Sequence, residues 1–223
     1  MSRRRLALVV FTDGRRDCLQ RTLASFDLSV DPALIDRRVV VNDCVESPEY
    51  GYWLDTLGFD EQIRPLDARR GFAGAVATGW EAVADADYVF HLEDDFVFQR
   101  HVDLKLMAEV LDGHPELAQM ALKRQPCNDD ELRAGGVVEL RSTDFMDCVD
   151  HGAWWLEHRC FFTTNPSLIP SATIARGWPR VERSEGVFSL SLFEDLNAVC
   201  GYWGRRSDPP WVHHVGTRVG TGY

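Results

Sequence analysis

The sequence predicts an α/β fold in which a mostly parallel sheet carries helices on both faces, and three observations lead there. Between Leu6 and Leu122, apolar runs of strand length alternate with segments of helical periodicity. The run from Leu6 to Phe11 is continuously apolar, as in a central parallel strand covered on both faces, where a half-solvated sheet would alternate apolar with polar. Polar residues gather where the runs stop, at Thr12-Asp13, Asn42-Asp43 and Glu93-Asp94-Asp95. Ligands of open α/β sheets bind beyond those carboxyl ends.

Leu6 to Phe11 is the first strand, stopped by Thr12-Asp13-Gly14. Asp17 to Phe26 carries Leu19, Leu23 and Phe26 at helical spacing. Val39-Val40-Val41 is the second strand and Gln62 to Leu66 a weaker third. Arg69-Arg70-Gly71-Phe72-Ala73-Gly74 opens a helix with Val76, Trp80 and Val83 on one face. Tyr88 to Leu92 is the fourth strand, Asp103 to Leu111 a helix and Leu117 to Leu122 a further strand. Beyond Gly152 the rhythm weakens. Ser184 to Val199 reads as one more helix with Ser184 as its cap, and the Pro-rich tail from Asp208 to Gly216 reads as loop.

At 223 residues and 45% apolar content, with seven tryptophans, the chain is expected to form a single domain. Residues 1 to about 100 would form one half and about 101 to 223 the other. The net charge of −11 argues against broad binding to nucleic acid or an anionic membrane, although arginines cluster at 3–5, 15–16 and 69–70. Six cysteines without a Cys-x-x-Cys pair, and an apolar start too short for a leader, predict free thiols and a cytoplasmic protein. No segment is apolar for long enough to span a bilayer.

Three carboxylates ending a buried strand are costly unless a partner offsets their desolvation. Carboxylate oxygens suit Mg²⁺ or Mn²⁺, cations that keep coordination sites for phosphates. The Arg69 to Gly74 segment is the phosphate-facing counterpart: glycines permit close backbone approach, a helix N-terminus offers free N–H groups, and Arg69 or Arg70 supplies charge. It is neither a Rossmann glycine fingerprint nor a Walker loop. His213-His214 between Trp211 and Gly216 suggests a metal ligand. His91 is expected in the core. Trp154-Trp155 is either a sugar-stacking platform or core, and Asp147, Asp150 and His151 show no readable ligand spacing.

In this order the parts resemble family 2-like glycosyltransferases of the GT-A fold: Thr12-Asp13, Asp43, Arg70-Gly71-Phe72-Ala73-Gly74-Ala75, Glu93-Asp94-Asp95, Asn165 to Ile169, then His214-Val215-Gly216. The triplet is similar to an Asp-x-Asp metal motif with Glu93 at its first position. The resemblance implies a GT-A domain with a mixed, mostly parallel sheet that moves a sugar from a nucleoside-diphosphate sugar to an acceptor hydroxyl with inversion. The first half would bind the nucleotide sugar, and the second would bind the acceptor and close the site.

By the same resemblance Asp43 would bind the nucleobase, with Thr12 and Asp13 lining that pocket. Arg70 and Gly71 would meet the ribose or diphosphate, and Glu93 and Asp94 the ribose and sugar. Asp95 and His214 would hold Mn²⁺ or Mg²⁺. The base would be Glu185, at the start of the late helix, with Asp195 of the Glu194-Asp195 pair as its rival. A protein side chain, soluble glycan, small metabolite or modified nucleobase would accept the sugar. A sugar-phosphate nucleotidyltransferase and a non-catalytic nucleotide-sugar or carbohydrate-binding module are the alternatives.

Overall fold

The structure, a computed structural model, describes residues 4–64 and 67–216. Arg3 of the first arginine cluster, and the Pro65-Leu66 end of the expected third strand, lie outside the described residues. Eleven strands are present among those described: β1 (Leu6–Thr12), β2 (Arg37–Asn42), β3 (Glu61–Ile63), β4 (Tyr88–Glu93), β5 (Phe96–Phe98), β6 (Leu117–Leu122), β7 (Met146–Asp150), β8 (Ala153–His158), β9 (Ser167–Pro170), β10 (Val199–Trp203) and β11 (Val212–His214). The helices are α1 (Arg16–Ser29), α2 (Pro48–Leu54), α3 (Gly71–Ala82), α4 (Leu104–Gly113), α5 (Asp129–Ala134), α6 (Val137–Leu140), α7 (Ser171–Ile174) and α8 (Ser184–Leu192).

Nine strands form one sheet in the order β3-β2-β1-β4-β9-β6-β10-β8-β7. Only β9 and β8 run against the others, so the sheet is mixed and mostly parallel. The continuous apolar run of β1 has a direct cause. Leu6, Leu8 and Val10 share one core with Leu19, Leu23 and Phe26 of α1 and Met107 of α4. Ala7, Val9 and Phe11 share the other with Val76 and Trp80 of α3 and Phe188 of α8. Burying each large side chain in these cores contributes about 1.5–3 kcal/mol.

Two expected elements differ. The helix over 184–199 ends at Leu192, because a tight turn follows and Val199 opens β10, which pairs with both β6 and β8. Ser184 does not cap it: Arg183 is the capping residue, at φ +55°, and the buried Ser184 hydroxyl has no partner. The tail is not all loop, since β11 pairs antiparallel with β5 and lays His214 opposite Phe96. Short strands with mixed side chains carry little periodicity, so partner strands decide them. His91 is fully buried, accepting a hydrogen bond from Trp80 Nε1 at 3.3 Å.

Candidate functional site

A cleft of about 960 Å³ opens at the carboxyl ends of β1, β4 and β6, the rim on which α/β sheets place ligands. Arg70, Gly71, Glu93, Asp95, Glu185 and His214 line it, six of the ten residues the sequence singles out. The other four lie behind them.

Asp43, fully buried, accepts hydrogen bonds from the backbone N–H groups of Arg70 at 2.6 Å and Gly71 at 2.9 Å. Gly71 stands at φ +66°, a conformation glycine adopts without steric cost. Asp43 thus fixes the turn that enters α3 and presents Arg70 to the cleft. The Arg70 side chain donates to the Arg64 carbonyl at 2.7 Å, and its buried Nη1 has no partner.

The acidic triplet is wired to the first strand. Thr12 Oγ1 donates to Asp94 Oδ2 at 2.7 Å, and Thr22 Oγ1 donates to the Asp94 carbonyl at 2.8 Å. Sequence reasoning misses Arg15. Its guanidinium donates to Asp13 at 2.8 Å and also to Asp94 and Asp95, so one cation meets three carboxylates. Its signal is a basic residue just beyond Thr12-Asp13, on the rim that carries the acidic strand ends. Burial disfavours the charged guanidinium, but the three aspartates outweigh it and raise its pKa.

The carboxylates titrate differently. Burial pushes Asp94 up to about 7 despite Arg15 and Thr12. Glu93 stands well above the usual range through burial and then the Asp95 charge. Burial also works against Asp95, yet the His214 hydrogen bond and the Arg15 charge hold it below its ordinary value. Within the triplet, Asp95 alone is held below its ordinary value.

His214 Nε2 lies 3.1 Å from Asp95 Oδ2. Val215 N–H donates to the Asp95 carbonyl at 2.7 Å, and Gln125 brackets the His214 backbone with bonds of 2.9 and 2.8 Å. A Cβ at Gly216 would collide with the Asp95 carboxylate, so that approach requires glycine. Asp95 Oδ1 is buried without a partner. An orphaned carboxylate oxygen beside an imidazole nitrogen fits a divalent cation, with its remaining coordination free for other oxygen ligands. His213 alternates to the opposite side of β11 and is exposed.

The facing wall is Thr163-Thr164-Asn165 and the first turn of α8. Thr164 donates to Glu185 Oε1 from its N–H at 2.7 Å and its hydroxyl at 3.3 Å. Burial raises the Glu185 pKa against those two bonds. Asp195 lies outside the cleft lining, exposed in the turn after α8, where it accepts the Asn197 N–H at 2.9 Å. The tryptophan pair also lies elsewhere: Trp155 is core, and Trp154, on β8, carries Arg205 over its ring at 4.8 Å.

No protein-family model and no curated protein matches the chain. Solved structures do. A fragment of S. aureus TarS (residues 1–349) in complex with UDP-GlcNAc aligns at TM-score 0.63 and 13% identity, over 97% of this chain and 60% of that one. GalNAc-T7 with UDP, GalNAc and Mn²⁺ aligns at 0.66 and 8%, over 95% and 44%. The mannosyltransferase PcManGT from Pyrobaculum calidifontis, in complex with GDP-Man and Mn²⁺, aligns at 0.59 and 15%, over 90% and 55%. At such identities the likeness is one of fold, and the fold is GT-A. The chain spans about 60% of the length of the TarS fragment it matches.

Proposed function

We propose that this chain is a metal-dependent glycosyltransferase that moves a sugar from a nucleoside-diphosphate sugar to an acceptor hydroxyl with inversion. One observation carries the reading: the Asp95–His214 pair and Glu185 line one cleft whose floor is the rim of a GT-A sheet. The neighbours crystallised with UDP-GlcNAc, with UDP and Mn²⁺, and with GDP-Man and Mn²⁺ support the donor class and a divalent cation.

In this reading residues 1 to about 100 bind the donor, and the remainder binds the acceptor and closes the site. Asp43, Thr12 and Asp13 shape the nucleobase end, Asp43 also fixing the Arg70–Gly71 turn against ribose or diphosphate. Glu93 faces ribose and sugar, with Asp94 behind it. Asp95 and His214 would hold the cation, Mn²⁺ suiting the imidazole nitrogen better than Mg²⁺. That cation would neutralise charge developing on the departing diphosphate. Glu185 accepts the acceptor proton as the new C–O bond forms and the bond from the anomeric carbon to phosphate breaks. Among the described residues no helix is long and apolar enough to cross a membrane. The acceptor belongs to the hydroxyl-bearing classes named from the sequence.

A thermal-shift and calorimetric comparison of UDP-GlcNAc, UDP-GalNAc and GDP-mannose, each with and without Mn²⁺, tests this. One donor is expected to bind only with Mn²⁺, and Asp95→Ala is expected to abolish that binding. Donor binding that ignores Mn²⁺ and survives Asp95→Ala would overturn the metal assignment.

A further inference from the structure

Away from the cleft, the described residues hold one group of three metal-ligating side chains whose donor atoms lie within 4.8 Å of one another: His114, Glu116 and Glu157. None of them lines the cleft. Glu116 immediately precedes β6, whereas Arg124, just past the other end of β6, does line it. The six-residue strand therefore separates group and cleft by about 20 Å.

The group is assembled from three parts of the chain. His114 caps the C-terminus of α4, Glu116 stands in the turn to β6, and Glu157 comes from β8. His114 Nδ1 is 3.1 Å from Glu116 Oε1, and Nε2 is 3.3 Å from Asp150 Oδ2 at the end of β7. Trp155 Nε1 donates to Glu157 Oε1 at 3.0 Å, and the Trp155 ring packs edge-on against the imidazole with centroids 4.9 Å apart. One imidazole nitrogen meets Glu116 while the other is held by Asp150, as the second nitrogen of a metal-bound histidine is held by a carboxylate.

A protonated His114 bridging Glu116 and Asp150 is the simpler account of these contacts. It leaves a charge imbalance. Three carboxylates surround one imidazolium, and the ion pairs among the described residues include no Arg or Lys to Glu116, Asp150 or Glu157. His151 is the other imidazole nearby, 3.7 Å from Asp150, and the Cys148 thiol meets Glu157. A divalent cation between Glu116 and Glu157 balances this set better than one proton does.

We propose that His114, Glu116 and Glu157 bind a divalent transition-metal cation, with Asp150 orienting the imidazole, and that the cation staples the β7–β8 edge to the α4–β6 turn. One imidazole and two carboxylates suit Zn²⁺, Mn²⁺ or Co²⁺ rather than a soft thiolate-seeking ion. Binding displaces the His114 proton.

Co²⁺ is the probe, titrated into the full chain carrying Asp95→Asn and His214→Ala so that the cleft pair does not contribute. The expected result is one equivalent of saturable binding with a visible d–d absorption and a raised thermal midpoint. Glu157→Gln keeps side-chain size and is expected to weaken binding at least about tenfold, as is Asp150→Asn by loss of orientation. Absence of saturable binding, or binding untouched by both Glu157→Gln and His114→Gln, would overturn the proposal. Failure of donor binding in the cleft would not bear on it.

Discussion

At Arg15 a single guanidinium, mostly buried, meets Asp13, Asp94 and Asp95, and its removal separates electrostatics from packing. Arg15→Met keeps much of the side-chain volume but leaves Asp94 and Asp95 without their cationic partner. Breaking a buried ion pair from one side costs about 3–5 kcal/mol. The thermal midpoint is therefore expected to drop, and Mn²⁺ to restore part of it, because a second cation can take up the same charge. A drop that Mn²⁺ leaves unchanged would remove Asp95 from the ligand set. Glu185 carries the second prediction at this scale. As a base it works only when ionised, and its pKa is raised, so turnover is expected to climb with pH along a limb above the ordinary Glu value of 4.5. Glu185→Gln is expected to lower kcat at least about 100-fold and erase that limb, with donor KM little changed. Unchanged turnover would move the base elsewhere.

Among elements, β11 has an effect out of proportion to its three residues. It pairs with β5, and Gln125 holds the His214 backbone at both its N–H and its carbonyl. Gln125→Ala deletes those bonds while leaving Asp95 and His214 in the chain. Each bond contributes about 1 kcal/mol, so the fold is expected to survive. Mn²⁺-dependent donor affinity is expected to weaken about 10- to 100-fold through loss of ligand orientation. Calorimetry beside a thermal melt separates the two effects, and loss of stability without loss of affinity would make β11 a structural strand only.

At the scale of the whole molecule, buried titratable groups set the pH response of stability. Burial pushes His91 down to about 3 and His158 down to about 4. Between those values and pH 6.5 the unfolded chain binds protons that the folded chain refuses, so each histidine makes stability fall as pH drops through that window. The slope is up to about 1.4 kcal/mol per pH unit for each. The raised carboxyls of Glu93, Asp94 and Glu185 act in the opposite sense, since the folded chain keeps protons that the unfolded chain has released. Their contribution falls as pH rises through the same region, to about 7 for Asp94. The His158 part is isolated by difference: relative to the parent chain, His158→Asn is expected to lose that residue's share of the acid-side decrease between pH 6.5 and 4. Parallel stability curves for the two proteins would refute it.

The strands legible in the sequence are those buried on both faces, and β1, β2, β4 and β6 announce themselves by largely apolar runs, interrupted by His91 in β4 and Gln119 in β6, because helices cover each side. The acidic ends on the same rim are legible for the same reason, since a charge terminating such a run stands out. Strands β5 and β11 are three residues long each, and their pairing with one another from distant parts of the chain determines them, which no local pattern encodes. Thus the sequence by itself determined the α/β class, the rim on which ligands would bind and the carboxylates along it. The tertiary structure alone decided that Arg15 joins three of those carboxylates, that β11 brings His214 to Asp95 across 119 positions of chain, and that Glu185 rather than Asp195 lines the cleft. A hydrogen bond or ion pair acts over a few ångströms of space whatever the separation along the chain, and only the folded backbone converts one distance into the other.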